Sequence, residues 1–191
     1  MPDQYKTIVG IAESQLIVKK SRFIGLGTSM DTIAASKAFL EVAQAKHPKA
    51  THYCYGYSIG FGHEKREYAT DAGEPTHSAG PPILAAISAS ALSNLMCVVV
   101  RYYGGINLGV GGLIRAYGQC ARDCLKKAKV ETRMLYQTLQ IQTPYEKIGA
   151  VLNLCHRFGG KVLNVESEQH AIAYLQIRQR EIATFRENLQ G

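Results

Sequence analysis

The stretch VVVRYYGGINLGVGGLIRAYG, residues 98–118, could bind an anion through its main chain. A β-branched run precedes a glycine-rich loop, and a helix is predicted to follow, so backbone N–H groups and the helix dipole could face a phosphate. The spacing does not fit GxGxxG, because position 114 is Ile, and no lysine follows as a P-loop requires. Two interpretations stay open: a general anion site, or glycines that permit positive φ and close packing. The glycines concerned are Gly104, Gly105, Gly109, Gly111 and Gly112.

A basic stripe follows on the predicted helix. At about 100° per residue, several polar side chains fall on one face of that helix. They could neutralise several phosphates, or they could form an ordinary solvated surface with cations near the helix C-terminus. Lys20 and Arg22, in a basic turn between two short predicted strands, would extend this surface. The stripe consists of Arg115, Gln119, Arg122, Lys126 and Lys129.

Tyrosines near these cations could stack on unpaired bases, which needs flat rings beside positive charge. The alternative is that the tyrosines of an alternating strand pack under a neighbouring loop or helix. The residues are Arg101, Tyr102 and Tyr103 at the end of one predicted strand, and Tyr53, Tyr55 and Tyr57 on one face of a strand over residues 51–59.

Paired carboxylates give a different hypothesis. In TDAGEP, Asp71 and Glu74 flank Gly73, with His77 close behind and His52 elsewhere in the chain. One carboxylate could act as an acid and the other as a base, or both could hold a magnesium ion that faces a phosphate. His52 is the further candidate for this catalytic alternative. However, no nucleophile with an evident activator stands beside them, and turns rich in Asp, Gly and Pro often carry such residues for backbone reasons. The residues therefore favour binding over catalysis, with no cofactor and no metal site.

The elements that must position these residues can be read from periodicity. A helix is predicted over residues 32–46, and a second helix from Pro82 to about Asn94. A strand buried on both faces follows at residues 95–100, and a third helix runs from about Gly112 to Lys129. Residues 60–80 lack periodicity, which predicts a long loop centred on TDAGEP.

The last third of the chain has its own pattern. Residues 132–191 predict the order β-α-β-β-α, with Thr143 and Glu146 forming a capping box at the start of the first helix. A ferredoxin-like unit needs one more strand, so we expect a shortened ferredoxin-like domain, and a three-stranded sheet is the alternative. The sequence thus predicts an α+β protein with domains at residues 1–131 and 132–191.

Composition narrows the class of protein. The 191 residues carry a net charge of +7, and five cysteines without CxxC spacing favour reduced thiols over a disulfide or zinc framework. A positive balance favours encounter with polyanions, but it also keeps many ordinary proteins soluble. No apolar run is long enough to span a bilayer and the N-terminus does not resemble a signal peptide, which predicts a cytoplasmic protein without a membrane partner.

Four segments together resemble one protein family. They are SRF at 21–23, DAGEP at 71–75, AGPPIL at 79–84 and the glycine-rich stretch at 98–118. These segments resemble the signature of the bacterial branch of the IMPACT family, and the resemblance covers residues 15–130 well.

The resemblance implies a first domain like domain 2 of ribosomal protein S5 and a second domain like the last domains of translocating elongation factors. Relatives of both handle ribosomal RNA, and the eukaryotic branch of the family acts in translational control through a protein partner. We therefore expect binding to RNA or the ribosome and a role in translation regulation. An enzyme acting on a phosphorylated small molecule and a protein-binding module are the alternatives.

Overall fold

The computed structural model describes residues 3–167 and 170–190, which divide into two units. One unit is Lys6–Thr132, and the other contains the residues up to Tyr5 and from Arg133 onward. The predicted α+β class with two domains is confirmed. None of the described helices is both long and apolar enough to cross a membrane.

The elements alternate along the chain and are numbered in chain order. The strands are β1 (Gln4–Ile8), β2 (Ile11–Val18), β3 (Ser21–Ser29), β4 (His52–Ile59), β5 (Arg66–Thr70), β6 (Leu95–Tyr102), β7 (Val130–Met134), β8 (Tyr136–Thr143), β9 (Lys161–Ser167) and β10 (Ala171–Arg178). The helices are α1 (Ala34–Lys46), α2 (Gly80–Ala89), α3 (Val110–Lys127), α4 (Tyr145–Arg157) and α5 (Ile182–Gln190).

The unit Lys6–Thr132 is built on an antiparallel five-stranded sheet in the order β2-β3-β6-β4-β5. Its central strand β6 is apolar at successive positions because both faces of the sheet are covered. Cys97 and Val99 pack in the cluster that contains α2 and α3, whereas Val98 and Val100 pack in the cluster that contains α1. Neighbouring residues of β6 thus serve opposite faces.

The smaller unit follows the predicted order β-α-β-β-α. Its strands form a three-stranded antiparallel sheet in the order β8-β10-β9, with α4 and α5 contributing to its core. The predicted capping box is wrong: Thr143 is the last residue of β8, and α4 begins at Tyr145 without a side-chain cap. β1 and β7 pair separately as a two-stranded sheet.

The predicted loop over residues 60–80 is also wrong in part. It contains a 3₁₀ turn at Gly62–Glu64 and the edge strand β5, which pairs with β4. β5 has three exposed and two half-buried residues. Because neither face of this strand is buried, its sequence does not alternate between apolar and polar residues, and periodicity cannot detect it. The helix after it also differs from the prediction, since α2 begins at Gly80 and ends at Ala89.

Gly104 is where the glycine-rich stretch meets the sheet most closely. A Cβ atom placed on Gly104 would overlap the backbone carbonyl of Lys20, in the turn between β2 and β3. By contrast, a Cβ on Gly111 in the first turn of α3 would meet only Arg115 Nη1, at 3.6 Å. Of these two positions, only Gly104 requires a glycine because of packing.

We therefore expect Gly104→Ala to lower the free energy of unfolding by roughly 2–4 kcal/mol, because main chain on both sides must move. Gly111→Ala is the matched control and should be neutral or stabilising by up to about 1 kcal/mol. Urea denaturation checks both variants. Equal stability of the two variants would show that Gly104 is not packed against the β2–β3 turn.

Candidate functional site

The main chain of the glycine-rich loop falls into two parts. At its start the amides are used internally: Tyr103 N donates to Thr51 Oγ1 at 3.1 Å and Gly104 N donates to Ser21 Oγ at 3.1 Å. From Gly105 to Gly112, no N–H group donates a hydrogen bond to another described residue. The later part of the loop therefore keeps its amides open, as an anion site requires.

Two glycines set the path of this open part. Gly105 and Gly109 have φ values of 79° and 70°, a conformation that residues with a side chain rarely adopt. A Cβ atom at either position would meet nothing within 4 Å, so the backbone conformation, not packing, requires glycine there. Helix α3 begins directly after Gly109 and has no side-chain N-cap. The partial positive charge of its first turn is thus not balanced by a capping side chain.

Arg101 lies inside the domain and not on its surface. Its guanidinium donates to Glu74 Oε1 at 2.6 Å and to Ser21 Oγ at 3.3 Å, and the residue is 5% exposed. The ring centroids of Phe23 and Tyr103 lie 5.5 Å and 5.2 Å from its Cζ atom. The sequence hypothesis has Arg101 reaching an external phosphate, whereas the structure has it neutralising an internal carboxylate.

Glu74 is the centre of this buried cluster. Its side chain is 3% exposed, and Oε1 also accepts a hydrogen bond from the Tyr117 hydroxyl at 2.8 Å. Burial raises the pKa of Tyr117 well above its usual value, which keeps the phenol protonated as a donor. Glu74 Oε2 accepts no hydrogen bond from the described residues.

Asp71 does not act together with Glu74. Its carboxylate accepts the N–H groups of His77, Ala79 and Gly80, each at 2.8 Å, and so caps the start of α2. Burial alone would raise the pKa of Asp71, but the three backbone donors outweigh it and the pKa lies below its usual value. The two carboxylates therefore have separate structural partners, and the described residues contain no cluster of three potential metal ligands.

His52 lies beside Glu74 at the edge of a cleft. Nδ1 is 3.0 Å from the Ala72 carbonyl oxygen, so Nδ1 carries a proton, and Nε2 is 3.9 Å from Glu74 Oε1. The cleft has a volume of about 450 Å³. It is lined by both residues of this pair and by Arg101, Tyr103, Gly109 and Val110 among others.

The basic stripe of α3 forms a second concave surface. Arg115 and Arg122 line a groove of about 430 Å³ together with Lys19, Leu16 and Gly112. We call this surface the basic groove. Its three cations are exposed, and none of them forms an ion pair with a described residue. Lys126 is also exposed, and with Arg122 it lines a neighbouring groove along α2.

Lys19 is the cation of the groove that the predicted site residues do not include. Lys19 and Lys20 are the two residues between Val18 and Ser21, which pair in the β2–β3 hairpin, and their φ values are 44° and 65°. Hairpins of this length favour Asn-Gly because both central residues have positive φ. Two lysines in that turn are the signal that could have pointed to Lys19.

Other predicted residues lie on the opposite face of the sheet. The Arg22 guanidinium stacks over the Tyr102 ring at 4.3 Å, and Tyr102 packs against the cluster that contains α1. Tyr55 and Tyr57 lie on the same side, with ring centroids 5.9 Å and 5.6 Å from that of Tyr68. The predicted cations and rings therefore do not make one continuous surface.

Comparisons with known proteins agree on one family. The model of the Impact N-terminal domain matches residues 19–125. The IMPACT family member YigZ of Escherichia coli (strain K12) is 32% identical over 169 residues, which cover 88% of this chain and 83% of that protein. The IMPACT family member YvyE of Bacillus subtilis (strain 168) is 35% identical over 80% of this chain and 70% of that protein.

A solved structure is similar over almost the whole chain. It is described as the crystal structure of an hypothetical protein, and it superposes with a TM-score of 0.82 at 29% sequence identity. The similarity covers 99% of this chain and 92% of that one. The two-unit architecture is thus shared with an experimentally determined protein.

Arg101→Met should lower the free energy of unfolding by roughly 3–5 kcal/mol, because it leaves Glu74 buried without its cation. The control is Lys65→Met, which removes an exposed ion pair with Glu67 and should cost less than about 1 kcal/mol. Urea denaturation distinguishes them. Similar losses in both variants would contradict a buried, mutually dependent Glu74–Arg101 pair.

Asp71→Asn should lower stability at pH 7 by about 1–3 kcal/mol, since an amide cannot accept all three N–H groups. Because the pKa of Asp71 is lowered by folding, its stabilisation is present above the unfolded pKa and is lost as pH falls through the folded pKa.

The difference between wild type and Asp71→Asn should therefore shrink as the pH falls below about 4, in denaturant titrations across that range. Exposed Glu41→Gln is the control and should change little at either pH. A difference that stays constant below pH 4 would show that the ionised carboxylate is not the helix cap.

Proposed function

The chain belongs to the IMPACT family, and from that premise we propose that it binds RNA through the basic groove as part of translation regulation. The observation that carries the proposal is the convergence of Lys19, Arg115 and Arg122 on one groove without acidic partners. Unpaired cations on a concave surface are the footprint expected for a phosphate backbone.

Main-chain donors lie next to these cations. Leu108 and Gly112 line the groove, and both belong to the segment whose amides are open. Phosphate oxygens could therefore accept hydrogen bonds from backbone N–H groups and from guanidinium groups side by side. Leu16 and Val18 give the groove an apolar floor on which a sugar or base could lie.

The charge distribution also supports a polyanion as the partner. The chain carries a net charge of +7, of which residues 1–131 carry +5. The electrostatic field of this positive charge favours encounter with nucleic acid before specific contacts form. Lys126 extends the positive surface one turn further along α3, where it remains exposed.

The assignment to translation comes from the family. The resemblance implies folds whose relatives handle ribosomal RNA, and it implies translational control in the eukaryotic branch. Ribosomal RNA or a ribosome-bound RNA is therefore the proposed partner, and the cytoplasm is the proposed compartment.

Arg115→Ala combined with Arg122→Ala should weaken binding to a labelled single-stranded RNA of about 20 nucleotides by tenfold or more, measured by fluorescence anisotropy. The slope of log affinity against log salt should become shallower by about 1.4, since two phosphate contacts are lost. Arg22→Ala removes one cation from the other face of the sheet and is the control, expected to change affinity little.

The proposal is contradicted if the double variant binds with unchanged affinity and salt slope. Loss of binding in Arg22→Ala with retention in the double variant would place RNA on the tyrosine-bearing face instead. Absence of RNA binding by the unsubstituted chain would favour a protein-binding role.

A further inference from the structure

The cleft beside Glu74 is chemically distinct from the basic groove. We propose that it binds a small phosphate monoester that also carries a hydroxyl or amino group, with the phosphate at the start of α3 and the donor group at Glu74 and His52. This inference does not depend on RNA binding. Apart from Leu108, which lines both cavities, its residues differ from those that line the basic groove with Lys19, Arg115 and Arg122.

Unused acceptors occupy one side of the cleft. Glu74 has a side chain only 3% exposed, yet its Oε2 receives no hydrogen bond from the described residues. His52 donates from Nδ1 to the Ala72 carbonyl, which leaves Nε2 as the ring nitrogen without a hydrogen bond among the described residues. Because Glu74 Oε2 has no donor among the described residues and Glu74 lines the cleft, a ligand hydroxyl or amino group can donate a hydrogen bond to it.

Unused donors occupy the other side. Gly109 and Val110 line the cleft, and the N–H groups of both have no acceptor among the described residues. Two open amides at the start of a helix can donate hydrogen bonds to the oxygens of a phosphate. A ligand that satisfies both sides must combine an anionic group with a hydrogen-bond donor.

The cleft also has the size and the apolar surface for a carbon skeleton. Its volume of about 450 Å³ falls within the usual range of small-molecule sites, roughly 300–1,000 Å³. Pro75, Leu108 and Leu113 supply apolar surface between the polar groups. The Glu74–Arg101 pair holds the acceptor side in place, because Arg101 and Tyr117 fix Oε1.

The test is a titration of the ¹⁵N-labelled full chain with ribose 5-phosphate, followed by amide chemical shifts. Saturable shifts should centre on Gly109, Val110 and His52, not on Gln119 and Arg122. Methyl phosphate, which lacks a hydroxyl donor, should bind about tenfold more weakly than ribose 5-phosphate.

Val110→Pro is the decisive variant. Proline is compatible with the first position of a helix and removes one N–H group, and Gly109 already has a ψ of 162°, which a following proline accepts. Affinity for both phosphates should fall about tenfold, whereas Val110→Ala, which keeps the N–H group, should retain the greater part of the affinity. The variant with Arg115→Ala and Arg122→Ala should also bind these phosphates normally.

The shift map of the unsubstituted chain decides the question even if Val110→Pro does not fold. The proposal is overturned by the absence of saturable shifts at millimolar ribose 5-phosphate, or by equal affinities for both probes. Equal binding by the Val110→Pro and Val110→Ala variants would also overturn it. Loss of phosphate binding in the Arg115 and Arg122 variant would place the anion in the basic groove and refute the cleft, whatever the outcome with RNA.

Discussion

The buried pair of Glu74 and Arg101 is the interaction on which the arrangement of this face depends. It joins the turn after β5 to the end of β6, and through Tyr117 and Ser21 it includes α3 and the start of β3. Both charges are almost fully removed from water, so each is tolerable only while the other is present. The turn after β5, the end of β6, α3 and the start of β3 are therefore coupled through the Glu74–Arg101 pair.

Helix α3 contacts the buried pair through Tyr117 and also carries the cations and open amides of the surface. Its inward face is held by Tyr117, Cys120 and Cys124 in the core, so its basic face points outward beside the β2–β3 turn. Its N-terminus follows a glycine at positive φ and carries no side-chain cap. A single well-anchored helix thus supplies cations along its side and open amides at its start.

The sequence predicts those elements whose buried and exposed faces produce a periodic pattern of apolar and polar residues. Alternation predicts β4 and its tyrosine face, and the spacing of cations predicts the exposed side of α3. The same alternation separates Arg101 from Tyr102, since neighbours in a strand point to opposite faces. By contrast, Glu74 and Arg101 are 27 positions apart and meet only through the fold, and edge strand β5 has too little burial to show a pattern. The link between carboxylate and arginine was therefore beyond sequence reasoning.

In the proposed mode of binding, RNA lies along α3 and the β2–β3 turn. Ultraviolet crosslinking of the full chain to single-stranded RNA, followed by mass spectrometry of the crosslinked peptides, tests it most directly. We expect crosslinks in peptides that contain Lys19 and the segment from Leu108 to Arg122. Crosslinks confined to peptides with Tyr55, Tyr57 and Tyr68 would contradict it.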